Sequence, residues 1–289
     1  MFELADKICY PGAPPRPNED AVGYGPDYLF VIDGASCLSG LNLMAESDAA
    51  WMVEHVTRGL HTYLAMYPEM DTADMLRSIL VPLQQQYLQA LRDAGVQKPK
   101  DSPSAGMAMF RKRGDRLEFF GLGDCVGLAV LPDGSFFYSL DTNLVNLDNQ
   151  VLEEMVRLHL ATGKSMSECR QFDVIKEMLL INRDKKNTPG GYWALDLLND
   201  AGLENAVRHS WEVKGSVTVG AVSDGFAQLA ELFGVYGGYG GLFEAMRHTD
   251  LSEMFDLLCK LQDEDHDCND YPRFKLRDDT TAAWGRFEK

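Results

Sequence analysis

Four acidic sites in this chain each lie next to a run of β-branched or aromatic residues. They are Asn18-Glu19-Asp20, Asp33-Gly34, Asp224-Gly225 and Asp278-Asp279. Apolar runs bounded by Gly and Asp predict buried strands, so these carboxylates are expected at rigid strand ends. Several carboxylates that converge repel one another unless hard cations neutralise them. The pattern therefore predicts a Mg²⁺ or Mn²⁺ site built from strand ends.

Two such ions form a clamp that activates water for attack on a phosphorus when they lie roughly 3.5–4 Å apart. The clamp needs one carboxylate between the ions and others on either side. The chain offers Glu19, Asp33, Asp224 and Asp278 for these places, and the Gly34 carbonyl as a further oxygen. One Asp-Gly pair alone is more typical of a turn. The whole set, in this order at strand ends, favours metal-assisted chemistry on a phosphate.

Length and charge narrow the class of protein. The chain has 289 residues, 45% of them hydrophobic and 25% charged, which suits a globular protein with a sizeable core. We find no internal repeat and no interdomain linker, so we expect a single domain over residues 1–289. The net charge of −17 argues against a nucleic-acid or anionic-membrane partner, because both need clustered Lys and Arg.

The cysteines and the N-terminal stretch bear on the compartment. The six cysteines include no C-x-x-C pair, which is typical of free thiols in a reducing compartment. Residues 1–7 lack the basic and apolar regions of a signal peptide. No uncharged apolar run approaches the roughly 20 residues of a membrane-spanning helix. We therefore expect a cytoplasmic protein.

The periodicity of apolar residues predicts blocks of strands and helices. Strands are expected at 1–10, 28–33, 105–112, 116–121, 126–131, 135–138, 208–213, 217–223 and 279–287. Helices are expected at 46–66 and 72–94, twice within 148–185, and at 226–233, 239–248 and 251–263. Two consecutive helices followed by a meander of four strands are not βαβ alternation. They indicate an α+β layered fold with antiparallel sheets.

Local signals predict where several elements begin. Asp71 is expected to cap the helix at 72–94. Capping boxes are expected at Ser165-Met166-Ser167-Glu168, for the second helix of 148–185, and at Asp250-x-x-Glu253. The proline-rich stretch around Arg16 predicts a stiff loop. A helical insert at about 148–200 lies away from the acidic motifs.

Five pieces of this sequence resemble the metal-dependent Ser/Thr protein phosphatases of the 2C type, in their bacterial form. The pieces are Asn18-Glu19-Asp20-Ala21, Val31-Ile32-Asp33-Gly34, Gly121-Leu122-Gly123-Asp124-Cys125, Val222-Ser223-Asp224-Gly225-Phe226 and Asp278-Asp279-Thr280-Thr281. They occur in the family's order over nearly the whole chain, and their combination is more specific than any one of them. The resemblance implies a four-layer α-β-β-α sandwich with two central antiparallel sheets.

The resemblance also implies a ligand set for two Mn²⁺ or Mg²⁺ ions. Asp33 would bridge the ions. Asp224 and Asp278 would complete one ion's site, and Glu19 with the Gly34 carbonyl would complete the other. The implied reaction is hydrolysis of phosphoserine or phosphothreonine in a phosphorylated protein substrate. A water or hydroxide that bridges the ions would attack the phosphoryl group, without a phospho-enzyme.

Two further acids match positions of the family. Asp20 would accept a hydrogen bond that orients metal-bound water. Asp124 matches a position that, together with the position of Asp224, can hold a third, more weakly bound ion in bacterial relatives. Gln228 stands where relatives often have another Asp, which weakens the case for the third ion.

The sequence departs from the family at the phosphate-binding arginine. Pro15 holds that position, and Arg16 follows one residue later. A shifted loop would still bring Arg16 to the phosphate, since a planar guanidinium matches phosphate bidentately. The other reading is a solvated loop arginine. Ala35 stands where some eukaryotic members have a His that is a candidate general acid.

Other suggestive residues have plainer explanations. The histidines show no ligand spacing and are expected at surface or boundary positions. The glycine-rich run 234–241 lacks the Lys-Ser/Thr of a phosphate loop and is expected to join two helices. The acidic stretch 263–270 reads as a solvated turn. Turns and caps account for Asp133, Asp141 and Asp148.

Two alternatives stay open beside the phosphatase. One is a catalytically weak pseudophosphatase that acts as a binding or regulatory module, and the other is a hydrolase of small phosphate esters on the same fold. Loss of the ligand positions at Asp33, Asp224 or Asp278 would favour the first, and all three are present.

Overall fold

A computed structural model describes residues 1–97, 99, 101–213 and 215–288. Its strands are β1 (Phe2–Tyr10), β2 (Asp20–Gly25), β3 (Tyr28–Ala35), β4 (Ser104–Arg113), β5 (Arg116–Leu122), β6 (Val126–Val130), β7 (Phe136–Tyr138), β8 (Leu195–Asp196), β9 (Val207–Glu212), β10 (Val217–Val222) and β11 (Thr280–Phe287). Its helices are α1 (Asp48–Met66), α2 (Thr72–Asp93), α3 (Thr142–Thr162), α4 (Met166–Cys169), α5 (Asp173–Asp184), α6 (Ala201–Glu204), α7 (Asp224–Glu231), α8 (Tyr239–Met246) and α9 (Leu251–Glu264).

The strands form two antiparallel sheets that pack face to face. One sheet has the order β1-β11-β10-β6-β7 and the other β2-β3-β4-β5-β9, with β8 beside β4. Apolar side chains fill the space between the sheets, where Phe110, Phe119 and Phe287 are at most 2% exposed. The predicted α+β class with antiparallel sheets is confirmed.

Helices cover the outer face of each sheet. The predicted stripe of Met52, Val56 and Leu60 on α1 is fully buried against the six-stranded sheet, because a four-residue spacing places these side chains on one side of a helix. Helices α7, α8 and α9 cover the five-stranded sheet, with Phe243 and Leu258 buried. The layers are therefore helix, sheet, sheet and helix, as predicted. No helix in the described ranges is long and apolar enough to cross a membrane.

Helices α3, α4 and α5 have a hydrophobic cluster of their own. Met155, Met166 and Ile175 are fully buried there, and Cys268 and Phe274 from the segment before β11 pack into the same cluster. The helices are thus fixed to the chain segment that leads to Asp278.

The helical stretch differs from its predicted bounds. It begins at Thr142 rather than at 148, because the Asp141 side chain accepts the N–H groups of Asn143 and Leu144 and caps α3. It contains three helices instead of two. The predicted capping box of Ser165 and Glu168 forms at α4, and Asp71 caps α2 as expected.

Strand β2 is absent from the sequence prediction. It pairs with β3 in a register that sets Asp20 opposite Asp33. Gly23 and Gly25 lower the strand signal of this stretch, yet a Cβ at Gly23 would collide with the ring of Phe30, and one at Gly25 with the ring of Tyr28. The glycines therefore serve close packing on β3, which single-sequence patterns do not reveal.

Two local predictions near the C-terminal third are wrong. Asp250 makes no capping hydrogen bond at α9, and the Leu251 N–H donates to Asp6 Oδ2 over 2.8 Å. The stretch 263–270 is not simply a solvated turn. Asp265 is buried and forms an ion pair with Arg273 over 2.6 Å, in which both side chains are 6% exposed.

Asp265 organises the loop that follows α9. It accepts the N–H groups of Asn269, Asp270 and Tyr271 as well as the Arg273 guanidinium. Asp265→Ala is expected to lower the free energy of unfolding by about 3–5 kcal/mol, because it leaves a buried guanidinium unpaired. Urea denaturation measures this loss. Asp267→Ala, at an exposed position of the same loop, is the matched control and is expected to cost less than about 0.5 kcal/mol. Equal stabilities of the two variants would contradict the role of the ion pair.

Candidate metal centre

Three acids meet at one end of the six-stranded sheet. Asp20 opens β2 and lies opposite Asp33 near the end of β3, and Asp33 lies opposite Gly106 on β4. A Cβ at Gly106 would lie 2.8 Å from Asp124 Oδ1, so Asp124 lies directly on this strand. The absence of a side chain at Gly106 is what admits Asp124 to the cluster.

The five-stranded sheet delivers two more acids to the same place. Asp224 is the first residue of α7, just after β10, and Asp278 precedes β11. The two segments are joined by hydrogen bonds of 2.9 Å, from the Ser223 N–H to the Thr281 carbonyl and from the Thr281 N–H to Ser223 Oγ. Because β10 and β11 are adjacent and antiparallel, the end of β10 lies beside the start of β11. This pairing places Asp224 near Asp278.

Asp279 connects the two sheets at this end. Its Oδ2 accepts the Glu19 N–H over 2.7 Å, and its Oδ1 accepts the Gly12 N–H over 2.8 Å. The Gly34 N–H in turn donates to the Glu19 carbonyl over 3.0 Å. Glu19 is therefore held between the two sheets, at the mouth of the site.

The predicted ligand residues line one cavity of about 550 Å³. These residues are Glu19, Asp33, Gly34, Asp124, Asp224 and Asp278. Arg16 lines the same cavity on an exposed loop, and Asp20 is buried behind it with 7% exposure. The sequence-predicted site residues are thus brought together at one point of the fold.

Burial dominates the electrostatics of the cluster. It raises the pKa of Asp33 well above its ordinary range, and the charges of Asp20, Asp224 and Asp124 raise it further. The pKa of Asp224 is likewise raised well above its ordinary value, by burial first and then by Asp278 and Asp124. Burial also raises the pKa of Asp124. Ionised carboxylates are costly here unless positive charge accompanies them.

Asp20 has unsatisfied oxygens. The hydroxyls of Ser223 and Thr281 lie close enough to lower its pKa, but neither makes a hydrogen bond with it, so both buried carboxyl oxygens lack a partner. Burial raises the pKa of Asp20 to about 7. A buried carboxyl whose oxygens make no full hydrogen bond is costly, so an added donor such as water would stabilise it.

The donor set fits a hard divalent cation, since the acids and the Gly34 carbonyl offer oxygen alone. Within the described residues, no three Asp, Glu, His or Cys side chains lie so that they could hold one ion as they stand. Two acids have other partners instead. Glu19 Oε1 accepts from Ser47 Oγ over 2.5 Å and also from Ser36 Oγ, and Asp278 Oδ1 lies 2.7 Å from Lys275 Nζ. The donor chemistry suits Mg²⁺ or Mn²⁺, but Glu19 and Asp278 would have to leave these partners to bind an ion.

Basic side chains surround the acids in the cavity. They are Arg16, Arg183, Lys275 and Arg277. Arg277 is engaged with both oxygens of Asp263 at 2.7 Å, and Lys275 with Asp278. Over the described ranges, no carboxylate forms an ion pair with Arg16 or Arg183, and Arg183 Nη1 donates to Ser104 Oγ over 3.1 Å. In the described part of the chain, these two guanidiniums thus keep donors that no carboxylate holds.

The sequence reading missed two residues of this site. Asp148 is not a turn or cap residue but lies within α3 and lines the cavity, as does Arg183 on α5. Burial and the charge of Asp124 raise the pKa of Asp148 to about 7, against the lowering effect of Arg183. Neither residue has a local sequence signal, because each reaches the cavity only through the packing of its helix.

The weaker candidates lie elsewhere. The glycine-rich run 234–241 joins α7 to α8 and contributes no residue to the cavity wall. His61 Nδ1 lies 2.6 Å from the Tyr28 hydroxyl, and His55 Nδ1 lies 2.8 Å from the Trp51 carbonyl. All six cysteines are free.

Comparison with solved structures finds bacterial Ser/Thr phosphatases of the same fold. The Mycobacterium tuberculosis serine/threonine phosphatase PstP/Ppp is 14% identical with a TM-score of 0.57, over 100% of this chain and 99% of that chain. The catalytic domain of PstP in complex with two manganese ions is 15% identical with a TM-score of 0.54, over 98% and 97% of the two chains. Stp1 from Staphylococcus aureus is 13% identical with a TM-score of 0.51, over 100% and 96%. No protein-family model and no curated protein sequence matches.

Proposed function

We propose that this chain, which has the fold of the 2C-type Ser/Thr protein phosphatases, is a metal-dependent phosphatase that hydrolyses phosphoserine and phosphothreonine in proteins. Its main support is the cavity in which acids from separate segments of both sheets converge, where burial and mutual repulsion raise the pKa of Asp33 and Asp224. A charge arrangement of this kind is typical of a functional site rather than of a stable core.

Glu19, Asp33, Asp224, Asp278 and the Gly34 carbonyl would hold two divalent cations, Mn²⁺ or Mg²⁺. When bound, such ions lower the pKa of water and neutralise charge on a phosphoryl group. PstP, which shares the fold, has been solved with two manganese ions. Asp124 would serve a third ion, for which Asp148 supplies a second carboxylate nearby.

The chain's own residues would position water and substrate. The unpartnered oxygens of Asp20 would accept hydrogen bonds from water in the cavity and fix its orientation. Arg16 and Arg183 approach from the loop before β2 and from α5, and their guanidinium donors would bind the phosphoryl oxygens. Two arginines on separate elements would compensate for the displacement of Arg16 by one position in the sequence.

Arg183→Ala is expected to raise KM for a phosphothreonine peptide by about tenfold, because a charge-assisted contact to phosphate is lost. Arg16→Ala is expected to have a similar effect, and kcat should change less in both. Steady-state kinetics of the purified variants measure KM and kcat separately and show which of the two changes. Arg157→Ala, on an exposed arginine of α3, is the control. If Arg183→Ala and Arg157→Ala behave alike, Arg183 has no part in binding phosphate.

One observation favours a second candidate, a binding module without turnover. The Lys275 ammonium forms an ion pair with Asp278 and supplies the positive charge that a metal ion would otherwise provide. In a pseudophosphatase this ion pair would persist, and the cavity would bind phosphoprotein without hydrolysing it.

Turnover assays separate these functions. With Mn²⁺, we expect hydrolysis of a phosphothreonine peptide with higher kcat/KM than p-nitrophenyl phosphate, and no hydrolysis of either in EDTA. Preference for the small ester would favour a small phosphate-ester hydrolase. No Mn²⁺-dependent turnover of either substrate would overturn the enzyme assignment in favour of the binding module.

A further inference from the structure

We propose that a second pocket, remote from the acidic cavity, is a binding site for a small molecule that carries a phosphate or carboxylate group. The pocket measures about 220 Å³ and is lined by Arg111, Arg113 and Arg208. Strand β4 runs from Ser104, at the acidic cavity, to Arg111 and Arg113 at its opposite end. The proposed site is therefore separate from the metal centre and does not depend on the phosphatase assignment.

Arg111 is the unusual residue of this pocket. Its side chain is 1% exposed, and its hydrogen bonds go to neutral main-chain carbonyls, those of Met70 at 2.7 Å and of Pro68. Its Nε has no partner, and in the described part of the chain no carboxylate forms an ion pair with it. A guanidinium buried without a counterion is costly, so an anion in the pocket would stabilise it.

The other two arginines lie at the rim. Arg113 Nη2 lies 2.5 Å from Glu118 Oε1, and Arg208 Nη1 lies 3.0 Å from Asp71 Oδ2. Arg208 also stacks over the ring of Phe120 at 5.2 Å. Each rim arginine thus has one acidic partner, while Arg111 has none. Three arginines and two acids thus line the pocket, and the charges of Asp27 and Glu69 also act on Arg111.

Neutral donors complete the lining. Thr72 stands in the first turn of α2, and His209 and Ser210 come from β9. Guanidinium and hydroxyl donors match the planar and tetrahedral oxyanions of carboxylate and phosphate groups. The volume exceeds that of a bare phosphate, so part of the ligand's carrier would lie against Phe119 and Phe120.

Sulfate serves as a tetrahedral probe and citrate as a carboxylate probe. The full chain is titrated with each in EDTA, at constant ionic strength maintained with NaCl, and binding is followed by calorimetry and thermal shift. We expect saturable binding that weakens by at least about tenfold in Arg208→Gln and in Arg113→Gln, whose partly exposed positions favour folding.

Two controls locate the bound anion. Arg116→Gln alters a neighbouring arginine that bonds Ser210 but does not line the pocket, and it should change affinity by less than about twofold. Arg183→Gln alters the acidic cavity and should have no effect on this binding. The proposal is overturned if the wild-type chain shows no saturation by either probe, if Arg116→Gln weakens binding as much as Arg208→Gln, or if only Arg183→Gln abolishes it. The phosphatase assays are independent of each of these results.

Discussion

Asp33→Asn is expected to lower kcat/KM for a phosphothreonine peptide by at least about 10³-fold, with the fold intact. Asp33 lies at the centre of the acidic cluster, since its pKa responds to Asp20, Asp224, Asp124 and Asp278 after the dominant effect of burial. An amide of the same shape lacks the negative charge that the two proposed cations would share. Stopped assays with saturating Mn²⁺ measure the loss.

Asp27→Asn is the matched control for this variant. Asp27 lies in the turn between β2 and β3, at the far end of the strand that carries Asp33. Its replacement should leave kcat/KM within about twofold of the wild type, since surface substitutions away from the site have small effects. If Asp33→Asn retains more than about a tenth of the wild-type activity, the result contradicts the assignment of Asp33 as the shared ligand.

Removal of divalent cations is expected to make the stability of the protein fall as pH rises. Asp20 and Asp148 have pKa values of about 7 in the folded chain, against 3.8 for an unperturbed aspartate. A raised pKa means that the folded chain binds more protons than the unfolded chain between about pH 4 and 7. Stability from these groups is therefore complete below pH 4 and lost as pH rises through 7.

In EDTA, we expect these two groups together to lower the free energy of unfolding by about 5 kcal/mol between pH 5 and pH 8. Mn²⁺ should reverse much of this loss at pH 8, because a ligand that binds the folded chain at 100 times its Kd adds about 2.7 kcal/mol. Urea denaturation at both pH values, with EDTA and with Mn²⁺, measures both effects.

Asp20→Asn provides the control for the pH dependence. Without the titrating carboxyl, the slope of stability against pH in EDTA should become shallower than in the wild type. The electrostatic account is contradicted if the slope is the same in both proteins and Mn²⁺ has no effect on stability at pH 8.

The acidic ligand candidates could be predicted from sequence because their signal is local. Asp33 and Asp224 each follow a buried strand and precede a glycine, a pattern visible within a few residues. The layered fold followed from helix and strand periodicity for the same reason. Strand β2 was missed because its glycines are explained only by the rings of Phe30 and Tyr28 across the β2–β3 pair.

The remaining residues of the site depend on tertiary contacts. Arg183 and Asp148 lie on helices distant in sequence from the acidic motifs, and only the packing of α3 and α5 beside the sandwich brings them to the cavity. Asp265, whose buried partner is Arg273, likewise looked like part of a solvated turn at 263–270. A charged residue that is buried by pairing with one partner leaves no hydrophobic periodicity in the sequence. Its burial therefore cannot be predicted from the pattern of apolar residues.

Anomalous diffraction from crystals grown with Mn²⁺ tests the central claim most directly. We expect two anomalous peaks that share Asp33 as a ligand, one beside Glu19 and the Gly34 carbonyl and the other beside Asp224 and Asp278, with Lys275 displaced from Asp278. An absence of manganese at Asp33, with Lys275 still paired to Asp278, would contradict the account.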